Sequence, residues 1–206
     1  LIAVPPGLRQ AGLPHRSKTG LTFAPEAGSD RMRLSINKDV TEETLLETAA
    51  AAFEKGWNGI KLYFMIGLPG ESTADVEDII RLTDKVRDAG VKTRGRPPII
   101  RVTVSTFVPK PHTPFQWVAQ DSEAALNAKH ELLKQGFRHK GVNMSWQSPV
   151  ISRLEAVLSR GARKLGKAIL GAWRLGSRFD SWSEHLKLEN WQEAFETAGL
   201  EPDFYA

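Results

Sequence analysis

The stretch IKLYFMIGLPGES, residues 60–72, combines an apolar strand with the turn that ends it. Its first eight residues form an almost continuous apolar run, as expected for a strand buried on both faces of a parallel sheet. Two glycines and a proline make a tight turn, and Ser72 and Asp75 have the spacing of a helix capping box. The stretch therefore predicts a strand–turn–helix unit, with the helix Ser72–Ala89 stopped by Gly90.

Strands and helices alternate on both sides of this stretch. Apolar runs at Leu21–Pro25 and Ile99–Val108 predict two further strands. Thr41–Lys55 has a threonine that can cap its start, an alanine-rich body and Gly56 as its stop, which predicts a helix. Strand–helix–strand–helix–strand at this spacing indicates parallel strands joined by right-handed crossovers.

After the loop Pro109–Gln120 the pattern becomes mostly helical. The elements predicted there are a helix over Ser122–Gln135, a strand at Val142–Trp146, a long helix opening at Ser148-Pro149 with an alternative capping box at Ser152 and Glu155, and one acidic helix within Phe179–Ala206. We therefore predict an α/β protein, with part of a TIM-type (β/α) barrel over residues 1–120 and a helical C-terminal extension over residues 121–206.

Composition excludes several classes of protein. The 206 residues are 41% hydrophobic and 25% charged, as in soluble globular proteins, and are too few for a whole (β/α)₈ barrel of about 250 residues with an added domain. The chain has no cysteine, so it ligates no iron–sulfur cluster and forms no disulfide. Neither a signal peptide nor an apolar stretch of about 20 residues is recognised, which predicts a cytoplasmic protein without membrane contact. The start at Leu1, within the strand-like run Leu1–Val4, favours an incomplete chain.

Positive charge is concentrated in one block. Residues 136–178 contain nine Lys or Arg and a single acid, Glu155, whereas the tail from Phe179 has seven acids and one lysine. Such a block can bind phosphate-rich partners such as RNA. It can also be a solvated helix face, or pair with the acidic tail, and charge runs most often have these two explanations.

Ligands of parallel α/β barrels are contacted by the carboxyl ends of strands and the loops that follow them. Glu26-Ala27-Gly28-Ser29 follows the first predicted strand, where Glu26 supplies a carboxylate and Gly28 allows close backbone approach. The third strand leads into a proline-stiffened loop, in which Lys110 and His112 are candidates for contact with substrate. Each motif alone is also explained as an ordinary turn.

Together, the motifs resemble the radical S-adenosylmethionine (SAM) enzymes. Glu-Ala-Gly-Ser at 26–29, Asn-Lys at 37–38 and Gly-Leu-Pro-Gly-Glu at 67–71 are similar to the branch that includes methylthiotransferases and oxygen-independent coproporphyrinogen oxidase. TFAPEAGS at 22–29, KLYFMIGLP at 61–69 and FVPKPHTPF at 107–115 more closely resemble uncharacterised radical SAM proteins that carry an N-terminal cobalamin-binding domain. The resemblance covers nearly the whole chain.

The resemblance implies roles for individual residues in binding SAM. Glu26 would accept hydrogen bonds from the ribose hydroxyls, and Lys38 would pair with the methionyl carboxylate. Met65 and Phe107–Val108 would pack on the adenine, although core packing is an alternative for Met65 and Phe107. Tyr63 stands where some members have a second ribose-binding carboxylate, so its role stays open. The cofactor-binding residues predicted in this way are Glu26, Gly28, Ser29, Lys38, Tyr63, Met65, Gly67, Phe107 and Val108.

The resemblance also implies a reaction and partners. The parent enzyme would reductively cleave SAM at a 4Fe–4S cluster held by a Cys-x₃-Cys-x₂-Cys loop, which this chain lacks, so the chain alone would be inactive. The missing N-terminal part of the same polypeptide would supply that loop and a cobalamin site, and a flavodoxin or ferredoxin would supply electrons. The substrate stays open among RNA, protein and small molecules. The alternative is a degenerate homologue that acts as a basic RNA-binding or partner-binding module.

Overall fold

The computed structural model describes residues 20–138 and 141–205, so the predicted run Leu1–Val4 lies outside the described residues. The chain forms two compact units. The first comprises the described residues up to Ser105 together with Ala128–Trp146, and the second comprises Thr106–Asn127 and the described residues from Gln147. The domain division predicted from the sequence stays a prediction.

The first unit is an α/β structure built on a parallel sheet. Its strands are β1 (Leu21–Glu26), β2 (Gly59–Ile66), β3 (Ile99–Thr106) and β4 (Val142–Trp146). They are hydrogen-bonded in the order β1-β2-β3-β4, so neighbours in the chain are neighbours in the sheet. The predicted α/β class and parallel strands are confirmed, and the predicted bounds of β4 match those observed.

Four helices connect these strands: α1 (Asp30–Ser35) and α2 (Glu42–Glu54) between β1 and β2, α3 (Thr73–Arg94) between β2 and β3, and α4 (Glu123–Phe137) between β3 and β4. Residues 123–127 of α4 belong to the second unit. The predicted caps of α2 and α3 are confirmed, since the Thr41 side chain accepts from the Thr44 N–H and Ser72 and Asp75 form a capping box. The prediction that Gly90 stops α3 is wrong: the helix continues to Arg94 and is capped by Gly95, which has φ 70°.

Close packing explains the glycine inside α3. A Cβ atom at Gly90 would lie 2.5 Å from Cγ of Pro98 and 3.0 Å from the ring of Phe53 on α2. Helix α1 follows β1 directly and was not predicted, because its six residues are too few to show a helical period.

The predicted burial of the central strand on both faces is also wrong for the described residues. In β2 the buried residues Ile60, Leu62, Phe64 and Ile66 alternate with half-buried ones, and in β3 buried residues alternate with exposed or half-buried ones. One face of the sheet therefore holds the core of the unit. The other face carries Lys61, Tyr63 and Met65 of β2.

The second unit contains α5 (Pro149–Arg160), α6 (Leu165–Arg174), α7 (Leu188–Ala198) and a 3₁₀ turn at Pro202–Phe204. Its core joins the three helices, with Leu154, Val157, Leu165, Trp191 and Phe195 buried together. The predicted start at Ser148-Pro149 is confirmed, but the alternative capping box at Ser152 and Glu155 does not form. Ser152 is fully buried, and its hydroxyl donates to the Ser148 carbonyl.

No helix in the described ranges has both the length and the apolar content that a membrane crossing requires.

Candidate functional site

Two of the predicted motifs are interlocked in the first unit. Gly28, in the first motif, lies against the first turns of α3, which follows the second motif. A Cβ atom at residue 28 would lie 2.3 Å from the Ile79 nitrogen and 2.7 Å from the Asp75 oxygen. Gly28 therefore lies in close approach to helix backbone, and its approach to a ligand stays a prediction.

The carboxylate of Asp75 joins the same two motifs by hydrogen bonds. Its Oδ1 accepts from the Ser29 hydroxyl at 2.6 Å, and its Oδ2 accepts from Ser72 and from the Arg31 guanidinium. Burial alone would raise the pKa of Asp75, but the hydrogen bonds from Ser29, Ser72 and Arg31 outweigh it and hold this pKa far below the ordinary value. Ser29 also caps α1 by accepting from the Met32 N–H, so both of its roles here are structural.

Arg33 shapes the loop around the candidate site. Its side chain is 1% exposed, and the guanidinium donates to the carbonyls of Ala27, Gly28 and Val40 and pairs with Asp30. Buried arginines need such complete pairing, since an unpaired buried charge is costly. Arg33 therefore fixes both the loop after β1 and the segment that carries Lys38.

Gly67, at the end of β2, has its N–H already engaged. It donates to Oε2 of Glu71 at 2.8 Å, and the same oxygen accepts from Lys129 of α4 at 2.6 Å. The Glu71 side chain is only 2% exposed. Gly67 has φ 80°, which favours glycine, and the Gly-Leu-Pro-Gly-Glu motif thus closes on itself as a turn.

Glu26 and Lys38 meet at the carboxyl end of β1. Nζ of Lys38 donates to Oε1 of Glu26 at 3.3 Å, and each side chain keeps 28% of its surface exposed. The register of β1 against β2 shifts between Phe23 and Glu26, as at a β-bulge. Bulges re-aim the side chains that follow them, and here the re-aimed group is a carboxylate.

Glu26 holds an uncommon backbone conformation, with φ 69°. A non-glycine residue in this region carries about 1–2 kcal/mol of strain, and such residues cluster at functional sites. Asn37, next to Lys38, has φ 56°. Glu26 and Lys38, the two residues predicted to bind the polar ends of SAM, are thus paired and accessible. A positive φ occurs at Glu26 itself and at Asn37, next to Lys38.

An open hollow of about 360 Å³ adjoins this pair. Lys38 contributes to its wall, so one cation contacts both Glu26 and the hollow. The wall is formed by Asp30, Leu34, Asn37, Lys38, Asp39, Val40 and Thr41. Glu26, Tyr63 and Met65 are not among its lining residues, so the hollow does not join the residues predicted to bind the nucleoside.

Tyr63 and Met65 lie on the sheet face opposite the core, so simple core packing does not account for Met65. The hydroxyl of Tyr63 accepts from Nζ of Lys61 at 2.7 Å, and this cation lies 4.5 Å from the ring centroid. Glu26 pairs in register with Phe64, the residue between them. Lys61 was the sequence signal for this accessible face, because a cation inside an apolar run indicates that one side of the strand is not in the core.

The remaining predicted residues belong to the second unit. Phe107 is buried and packs edge-on against Phe115 at 5.9 Å, and Val108 is half-buried. Lys110 is engaged with α5, donating to Oε1 of Glu155 at 2.6 Å and to Ser159 at 3.0 Å. His112 is exposed with φ 62°, and its backbone N–H donates to Gln116.

Residues 20–138 and 141–205 contain no group of three or more His, Asp or Glu side chains arranged to hold a metal ion. The chain has no cysteine at any position. A cluster with thiolate ligands would therefore need residues outside this chain.

Comparison with known proteins found one informative relative. The chain is 28% identical over 180 residues to an uncharacterised protein of Methanocaldococcus jannaschii, an alignment that covers 87% of this chain and 38% of that protein. The chain thus spans about two-fifths of the length of the relative it matches. No family model matches the chain, and no solved structure matches it.

Proposed function

We propose that this chain is the SAM-binding part of a radical SAM enzyme, in which Glu26 and Lys38 hold the polar ends of the cofactor. The observation that carries the proposal is the accessible Glu26–Lys38 pair, formed where a bulge and a left-handed residue re-aim the carboxylate. The sequence resemblance assigns ribose and methionyl carboxylate to these two positions.

The pair is suited to exchange its internal contact for a ligand. An ion pair between partly exposed side chains contributes only about 0–1 kcal/mol, so a bound ligand displaces it at little cost. Glu26 would then accept from two ribose hydroxyls, and Lys38 would keep a carboxylate partner, now that of the ligand. Lys38 thus exchanges one carboxylate partner for another, and Glu26 exchanges an ammonium donor for two hydroxyl donors.

The sheet supports the proposed architecture of a partial (β/α) barrel. Parallel strands in chain order, without a reversal, are the arrangement found in (β/α) barrels, whereas doubly wound sheets reverse their order. The half-buried face with Tyr63 and Met65 would face the interior of such a barrel. In that position Met65 would pack on the adenine.

The residues of this chain fit the nucleoside but not the cluster. When bound elsewhere in the polypeptide, a 4Fe–4S cluster would supply the electron for reductive cleavage of SAM. Within this chain, Glu26 and Lys38 would bind and orient SAM, and Arg33 and Asp75 would hold the loops that carry them. Cobalamin, an electron-transfer protein and a cytoplasmic location belong to the same proposal and rest on the resemblance alone.

The test is SAM binding and 5′-deoxyadenosine formation by the full-length protein after anaerobic reconstitution. Glu26→Gln removes the charged acceptor, whose hydrogen bonds contribute about 1.5–3 kcal/mol, so SAM affinity should fall about 10–100-fold. Lys38→Ala should weaken binding as well. Glu47→Gln, at an exposed position on α2, is the matched control and should bind as wild type. Unchanged SAM binding in both site variants would overturn the assignment.

A further inference from the structure

The surface of α6 and the segment after it carries positive charge without acidic neighbours in sequence. Residues 156–179 contain no Asp or Glu. Five exposed cations lie there: Arg163, Lys164, Lys167, Arg174 and Arg178. Within residues 141–205, only Arg153 of the basic block pairs with the acidic tail, through Asp203. Pairing with the tail therefore does not account for these five cations.

The two cations within α6 itself, Lys167 and Arg174, form a positive stripe along one side of the helix. The helix buries Leu165, Ala168 and Ala172 in the core that it shares with α7. With 3.6 residues per turn, Lys167 and Arg174 lie on the side opposite these buried residues. The positive stripe is thus directed away from the core of its unit.

Exposed aromatic side chains lie on α6 and in the segment that follows it. Trp173 is 54% exposed, and the guanidinium carbon of Arg178 lies 4.6 Å from its ring centroid. Nη1 of Arg178 also donates to the Trp173 carbonyl at 2.6 Å, which holds the guanidinium over the indole. Phe179 and Trp182 are 75% and 60% exposed. Water solvates such rings poorly, so a group of exposed rings indicates a surface that binds a partner.

We infer that this α6 surface, comprising the five cations with Trp173, Phe179 and Trp182, binds single-stranded nucleic acid. The cations contact the phosphates, and the rings stack with unpaired bases. Charge complementarity selects a polyanion, and the rings select one with flat faces to stack. An anionic membrane would also meet these cations and the exposed Ile169 and Leu170 of α6, and the test below separates it from a nucleic acid. The inference does not depend on the proposed SAM site.

The test is fluorescence anisotropy of the full-length protein with oligouridine and oligothymidine, titrated over a range of salt concentrations. The Lys167→Glu/Arg174→Glu variant should lose at least tenfold in affinity. The slope of log K against log salt should shrink by about 1.4, since each lost phosphate contact contributes about 0.7 for single strands. Lys92→Glu/Arg96→Glu, which makes the same change in net charge at exposed positions of the first unit, should bind as wild type. Equal losses in the two double variants would overturn the inference.

Replacement of Trp173 tests the stacking. Trp173→Ala should weaken binding about tenfold, and Trp173→Phe should largely retain it, because a phenyl ring still stacks. Preference for RNA or for DNA would identify the source of the strand. Three results would contradict the inference: no binding to either strand, equal binding to inorganic polyphosphate without dependence on Trp173, or binding only to anionic phospholipid vesicles.

Discussion

Glu26→Gly and Glu26→Ala remove the same carboxylate but leave different backbone strain. Both lose the ion pair with Lys38, which contributes about 0–1 kcal/mol. Alanine keeps a Cβ at φ 69° and with it about 1–2 kcal/mol of strain, whereas glycine adopts this region freely. Glycine loses about 0.5–1 kcal/mol more backbone entropy on folding. The glycine variant should therefore be more stable than the alanine variant by about 0.5–1 kcal/mol.

Urea unfolding of the full-length protein, followed by circular dichroism, measures this difference. Thr22 is the control, because it lies exposed on the same strand with an ordinary backbone, and there alanine should be the more stable by about 0.5–1 kcal/mol. Both Glu26 variants should also lose SAM affinity. An alanine variant as stable as the glycine variant would refute the claim that residue 26 stores strain. A glycine variant that is more stable than the alanine variant, while both lose SAM affinity, is the pattern expected of a strained ligand-binding residue.

Three further changes probe the framework of the first unit. Gly28→Ala should destabilise it by about 1–3 kcal/mol in urea unfolding, because the added Cβ would lie 2.3 Å from the Ile79 nitrogen; a neutral result would remove the helix contact as its reason. Asp75→Asn should lower the free energy of unfolding by about 2–4 kcal/mol at pH 7. The pKa of Asp75 is lower in the folded state than its ordinary value of 3.8, so the greater stability of the wild type is present above pH 3.8 and should shrink as the pH falls below this value. A stability difference between wild type and variant that stays constant with pH would contradict the assignment. His130 is buried, and this burial is the main reason that its pKa is lowered. The charge of Lys134 lowers the pKa further, and that of Glu131 partly opposes the shift. The free energy of unfolding of the wild type should therefore fall as pH drops below 6.5. His130→Leu should reduce that loss between pH 7 and pH 5 in thermal melts, and an unchanged loss would assign it to other groups.

Local signals predicted most of the elements correctly. The caps at Thr41 and Ser72 involve residues three apart, so the sequence displays both partners. The stop signal at Gly90 misled for a physical reason. Glycine ends helices by adopting positive φ, but it also allows neighbours to approach closely, and Phe53 and Pro98 are distant in sequence.

The candidate site was predictable in part. Glu26 and Lys38 were identified through resemblance, and the structure pairs them. Gly28 and Ser29 were also predicted to contact the cofactor, yet their described contacts are with α3, because a missing Cβ or a hydroxyl does not reveal what lies opposite it. Asp75 was identified only as a cap, since its partner Ser29 is 46 residues away. Long-range partners of this kind carry no local pattern in a single sequence.

A crystal structure of the full-length protein with SAM tests the central claim most directly. The Glu26 carboxylate should lie within about 3.2 Å of the ribose hydroxyls and the Lys38 ammonium at the methionyl carboxylate, with the contact between Glu26 and Lys38 replaced. SAM bound elsewhere, with the Glu26–Lys38 pair intact at its present 3.3 Å, would contradict it.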